Sequence, residues 1–408
     1  MAKDENLQSD AGENLITNVI ERKVVDPSLV LDVGESQVHE EEAVSRKITH
    51  AEKYSQKQKS KKSKALSIGF VLLNVAIVGI LFYLNIDNLE PLDTVITSNR
   101  SLFYLIAGCS AFLLLAIASE GFRFCQLLFS AGGGFHPKMS VKAHIFDKYY
   151  NYITPGGFGG MPFQIYFIYS RGVSGNLSSS VPTSYYVSQR IGFFIFAITV
   201  ICLFGKLIDF NGIIIATTIV GLLFTSIAIT AVLFIGLNKK AVKRITAWVI
   251  KVLHKMRLIK NYNATLKKSL YTIYDYQKTA TSLFRKPVVA VTNVAAAIFS
   301  LVCNAMVIFC IHSAFFGVDF SLFGLILISY CLIELIMIWV PLPGGSGGAE
   351  WGFSVLLLGI FGLGTIAWAI LFWRIFHYFA YLVIGLLLLI YENLHGRERY
   401  KRRTRKTV

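Results

Sequence analysis

Apolar residues fall in long unbroken runs, at about 65–85, 101–118, 191–204, 211–236, 288–315, 321–340, 353–363 and 365–391. A run of about 20 apolar residues is what a helix needs to cross a hydrocarbon layer. A water-soluble core of this size would alternate apolar and polar faces instead. The pattern therefore predicts an all-α polytopic membrane protein with about eight transmembrane helices. The run 353–363 is too short to cross comfortably, so seven or nine hydrophobic elements with one re-entrant also fit.

Composition sharpens this picture. Hydrophobic residues make up 54% and charged ones 16% of the 408 residues, against roughly 25% charged in soluble domains. The net charge of +16 sits between the apolar runs and not on one compact domain, which fits a cytoplasmic membrane face and argues against nucleic acid. The six cysteines lie in or beside apolar runs and read as small hydrophobes. No metal spacing and no cofactor motif is present, and no cleavable signal peptide is expected at the start.

Charge also predicts topology. Residues 1–45 hold eleven acidic and three basic side chains, and 46–64 hold eight basic residues against Glu52 alone. The stretch 1–64 reads as a disordered cytoplasmic tail, acidic then basic, ahead of a transmembrane domain at 65–391. The loop 239–286 carries thirteen Lys or Arg against Asp275; it is expected in the cytoplasm, with an amphipathic stretch on the anionic leaflet. Residues 392–408 form a basic cytoplasmic tail. Both termini inside require an even number of crossings.

One hexapeptide occurs twice, as Pro155-Gly156-Gly157-Phe158-Gly159-Gly160 and as Pro343-Gly344-Gly345-Ser346-Gly347-Gly348. Each glycine costs a helix about 1 kcal/mol relative to alanine, so each copy predicts a helix break. Broken backbone at membrane depth is tolerated only inside protein or along a cavity. Paired interruptions in two halves point to a binding site built on an internal repeat, inverted or parallel; close packing of helices through small residues is the plainer explanation. Restarting helices would aim their amides at the breaks and favour an anion.

Ionisable residues at membrane depth suggest function. Arg190, Arg374 and Arg171 are candidate phosphate contacts, although Arg171 and Arg190 also suit an interfacial snorkelling role. Glu350, against the second break, could hold an ammonium group or pair with Arg374. His377, one helical turn from Arg374, is a further candidate. Glu120 and Arg123 are expected to neutralise each other across a turn. No HExxH, GxSxG or phosphate-loop motif occurs, and no catalytic residue is assigned.

The block Asn151 to Gly160, followed by Arg171-Gly172-Val173, Gln189-Arg190 and Pro343 to Glu350, resembles the transmembrane region of lysylphosphatidylglycerol synthases and similar flippase-like proteins, over about residues 65–391. The resemblance implies movement of an anionic or aminoacylated phospholipid between leaflets of the cell membrane. It also implies a phosphatidylglycerol lysyltransferase using lysyl-tRNA, with a part in resistance to cationic peptides, as an alternative activity. The 17 residues after Tyr391 are too few for the family's cytosolic catalytic domain, so an enzyme would need a separate lipid-modifying partner. A membrane scaffold is a third reading.

Overall fold

A computed structural model of the protein describes residues 89–96, 99–237 and 286–406, apart from a few isolated positions elsewhere. Contacts divide the chain into Met1–Ile68 and Gly69–Val408, and the described residues belong to the second unit. The acidic-then-basic tail, the first apolar run and nearly all of the basic loop 239–286 lie outside them.

Among the described residues every regular element is helical. The main helices are α1 Cys109–Ser130, α2 Pro137–Ile153, α3 Gly160–Tyr169, α4 Gly175–Phe204, α5 Gly212–Leu237, α6 Pro287–Phe316, α7 Phe323–Trp339, α8 Gly348–Arg374 and α9 Ala380–Lys406. A π-turn at Tyr104–Gly108 joins Asn99–Phe103 to α1, and another at Ile375–Phe379 joins α8 to α9. Among the described residues five segments are long and apolar enough to cross a membrane, the last running from Pro343 to Glu392. With this many apolar helices the chain is an integral membrane protein.

That fifth segment is not one straight rod. Gly362 sits at φ 73°, ψ 168°, outside any helical region, and divides α8 where the sequence predicts a boundary between 353–363 and 365–391. From Gly348 to Phe361 the first part reaches only about 21 Å, less than the roughly 30 Å of hydrocarbon.

Helix α4 is longer than its apolar run 191–204. It begins at Gly175, because Ser178, Ser180, Ser184 and Ser188 are all buried against neighbours. Small hydroxyl side chains let helices approach closely while lowering hydropathy. Helix α2, of low hydropathy, is packed between α1 and α9. A side chain at Gly121 would strike Val141, and one at Gly385 would strike the Tyr149 ring. The core is formed mainly by α4, α6, α7 and α8 around Phe193, Ile308, Ile333, Phe353 and Trp373.

Candidate functional site

Both hexapeptides break their helices as the sequence predicts. Pro155–Gly157 and Pro343–Gly345 are single 3-10 turns. Gly156, Gly157, Gly344, Gly345 and Gly347 have φ between 62° and 84°, a left-handed region that costs other residues about 1–2 kcal/mol. The two breaks touch: the Gly156 amide donates to Pro341 O at 3.0 Å. Tyr152 Oη donates to His377 O at 3.1 Å, and Tyr378 Oη donates to Tyr152 O at 3.2 Å.

Amides at the two restarts are engaged by the chain itself. Gly159 N–H donates to Thr154 Oγ1 at 2.9 Å and Gly160 N–H to Asn151 Oδ1 at 2.8 Å. In the second copy Gly347 N–H donates to Glu350 Oε2 at 2.7 Å. Glu350 also pairs with Arg374, 2.7 Å away, both side chains being 1% exposed. Arg374 Nη1 donates to Gly344 O at 3.1 Å, so this pair fastens the second break to α8. Arg171 lies elsewhere: it and Lys142 share Glu392.

Beside the meeting breaks is a cavity of about 110 Å³. Its walls come from seven elements: Glu120 of α1, His144 and Lys148 of α2, Gln189 and Arg190 of α4, Ser300 and Asn304 of α6, Tyr330 and Glu334 of α7, His377 of the second π-turn and Tyr381 of α9. Of the head-group residues predicted from sequence, Arg190 and His377 are therefore in one place. Arg374 and Glu350 brace a neighbouring break, and Arg171 is tied to α9.

The cavity's carboxylates are already engaged. Glu120 bonds Arg123 and accepts from Tyr185 Oη at 2.5 Å. Arg123, fully buried, also donates to Asn293 O at 3.1 Å, to Ser188 Oγ at 3.0 Å and to Gln189. Glu334 accepts from Tyr330 Oη at 2.9 Å and lies 3.6 Å from His377 Nε2. The cations differ. Among the described residues neither Lys148 nor Arg190 makes an ion pair; Arg190 stacks over Tyr186 at 5.0 Å and its Nε is buried without a hydrogen-bond partner. The wall thus carries two cations without an ion-pair contact, with Asp147 of α2 as a more distant counter-charge.

Lys148, Asn304 and Tyr330 were not singled out by sequence, and Gln189 entered only through the Gln189-Arg190 block of the family resemblance. The signal for Lys148 is its spacing from His144, i to i+4 on a helix, visible only once the aromatic stretch 137–153 is read as a packed helix.

No curated protein and no solved structure matches the chain significantly. A family profile described as the lysylphosphatidylglycerol synthase TM region matches residues 66–385, which include both breaks and every cavity residue. With more than three quarters of its length matched, and with the paired glycine breaks in that span, the chain belongs to the lysylphosphatidylglycerol synthase transmembrane-region family.

Proposed function

We propose that the chain is a flippase that moves an anionic or aminoacylated phospholipid, phosphatidylglycerol or its lysylated form, across the cell membrane. The observation carrying this reading is the pair of cations, Lys148 and Arg190, that face the cavity without an ion-pair contact, while both carboxylates of the cavity wall are engaged elsewhere and Asp147 of α2 acts on the two cations only at a distance. An uncompensated charge at membrane depth is costly, and a phosphate group supplies the missing negative charge. Arg190 presents a planar fork suited to phosphate oxygens, and Lys148 a compact charge.

The head group would rest in the cavity while acyl chains stay in lipid. Glu334, only part-buried, would receive the ammonium of an aminoacylated lipid, with His377 behind it. Arg374 and Glu350 would hold the second break in shape. The two break-and-restart units are read as an internal repeat in a fold of eight crossings. Both termini and the basic loop face the cytoplasm, where a separate enzyme would supply modified lipid.

The test is a leaflet assay in proteoliposomes, with fluorescent phosphatidylglycerol or lysylphosphatidylglycerol and a membrane-impermeant quencher. The wild-type chain is expected to expose inner-leaflet label. Arg190→Gln and Lys148→Gln are each expected to slow this at least tenfold, equivalent to loss of about 1.4 kcal/mol of phosphate binding. Unchanged exchange in both variants, or none in the wild type with either lipid, would overturn the proposal.

A further inference from the structure

A second feature of the cavity wall is unused by phosphate binding. His144 is 1% exposed and lines the cavity, and its Nε2 is buried without a hydrogen-bond partner. Its Nδ1 is 2.9 Å from Tyr185 Oη, which in turn donates to Glu120 Oε2 at 2.5 Å. A continuous chain of hydrogen bonds therefore joins His144 on the α2 wall of the cavity, through the Tyr185 phenol, to the Glu120 carboxylate on its α1 wall.

A purely structural ion pair has no need of this extension. Arg123 is already satisfied by Asn293, Ser188 and Gln189, and it lies over the Tyr185 ring at 4.7 Å. The charged and titratable groups facing the relay are Arg123 of α1, Lys148 and Asp147 of α2, and Arg190 of α4, with Tyr381 of α9 at 5.8 Å from the imidazole. Glu334 and His377 stand on other walls of the same cavity. Asn293 is the polar neighbour from α6, and it is neutral.

We infer that His144, Tyr185 and Glu120 form a proton relay that couples anionic lipid movement to a proton gradient, as proton–anion symport. This rests on the flippase reading above. A proton from the cavity adds to His144 Nε2. The Nδ1 proton passes to Tyr185 Oη as the Tyr185 hydroxyl proton passes to Glu120 Oε2. The result is a neutral Glu120, a neutral His144 in its other tautomer and an unchanged tyrosine. With Glu120 neutral, the positive charge of Arg123 is no longer offset, so the site attracts an anion more strongly. By linkage the anion favours the proton equally. Reversal of the steps releases both together.

The experiment is the same leaflet assay with a pH gradient imposed across the bilayer in either direction. One proton per lipid predicts accumulation in the leaflet on the alkaline side, up to tenfold per pH unit, with the asymmetry reversing when the gradient reverses. Tyr185→Phe keeps the ring but cuts the relay, and is expected to exchange lipid to an even distribution whatever the gradient. A wild-type distribution that stays even under both gradients overturns the relay while leaving the flippase reading intact. If the wild type moves no lipid, the flippase reading fails by itself, and binding decides the relay. Glycerophosphoglycerol keeps a single negative charge throughout the neutral range. Its affinity for purified protein should tighten as pH falls, and no such dependence overturns the relay.

Discussion

The two copies of one hexapeptide are held in opposite ways. Around Pro343–Gly348 the residues Pro343, Gly345 and Ser346 are buried, and the turn is fastened by a charged pair, Glu350 and Arg374, that binds both Gly347 N–H and Gly344 O. Around Pro155–Gly160 the turn is open to the surface, with Phe158 81% exposed. Its amides are capped by the neutral side chains of Thr154 and Asn151. The need both copies share, two consecutive left-handed glycines at the turn, can be met by strong interior electrostatics or by weak local caps. The copy with weak caps costs less to rearrange.

That contrast can be broken most severely at Arg374. Arg374→Ala strands Glu350 as an uncompensated buried charge and is expected to cost about 3–5 kcal/mol, seen as a large drop in thermal midpoint in detergent or loss of folded protein. Gly344→Ala comes next. Its new Cβ would lie 2.3 Å from the Tyr378 ring at φ +63°, adding a clash to about 1–2 kcal/mol of left-handed strain. Gly157→Ala has similar φ but its nearest neighbour is 4.0 Å away, so only the strain of about 1–2 kcal/mol remains. Equal losses at Gly344 and Gly157 would contradict the difference in confinement. The smallest effect is expected for Asn151→Ala, which removes one cap worth about 1 kcal/mol. That variant should leave the thermal midpoint nearly unchanged while altering the rate of lipid exchange.

Much of this was legible in sequence because glycine and charge act locally. The breaks at Gly156 and Gly344, the short element ending near Gly362 and the pairing of Glu120 with Arg123 each follow from a few adjacent residues. The cavity does not. Lys148, Asn304 and Tyr330 are distant in sequence, and only the packing of α2 against α1 and α9 brings Lys148 to the same wall as Arg190. Hydropathy hid α2, whose Tyr149, Tyr150 and Tyr152 break up any apolar run. It also hid the first half of α4, where buried serines imitate a loop. Arg374 illustrates the opposite difficulty. A cation deep in an apolar run is conspicuous in sequence, but whether it faces a ligand or a carboxylate depends on Glu350, 24 positions earlier, and on the path of the chain through Gly362.

The reciprocal tyrosine bonds have a mechanical meaning. Tyr152 reaches the carbonyl of His377, in the π-turn, and Tyr378 in that same turn reaches back to the carbonyl of Tyr152. Two bonds of opposite sense between the same pair of segments act as a mortise and tenon. Neither segment can slide or tilt alone without opening both joints. Any alternation between inward and outward forms is therefore expected to carry α2 and the start of α9 as one rigid piece, and to occur as a discrete step between two seated positions.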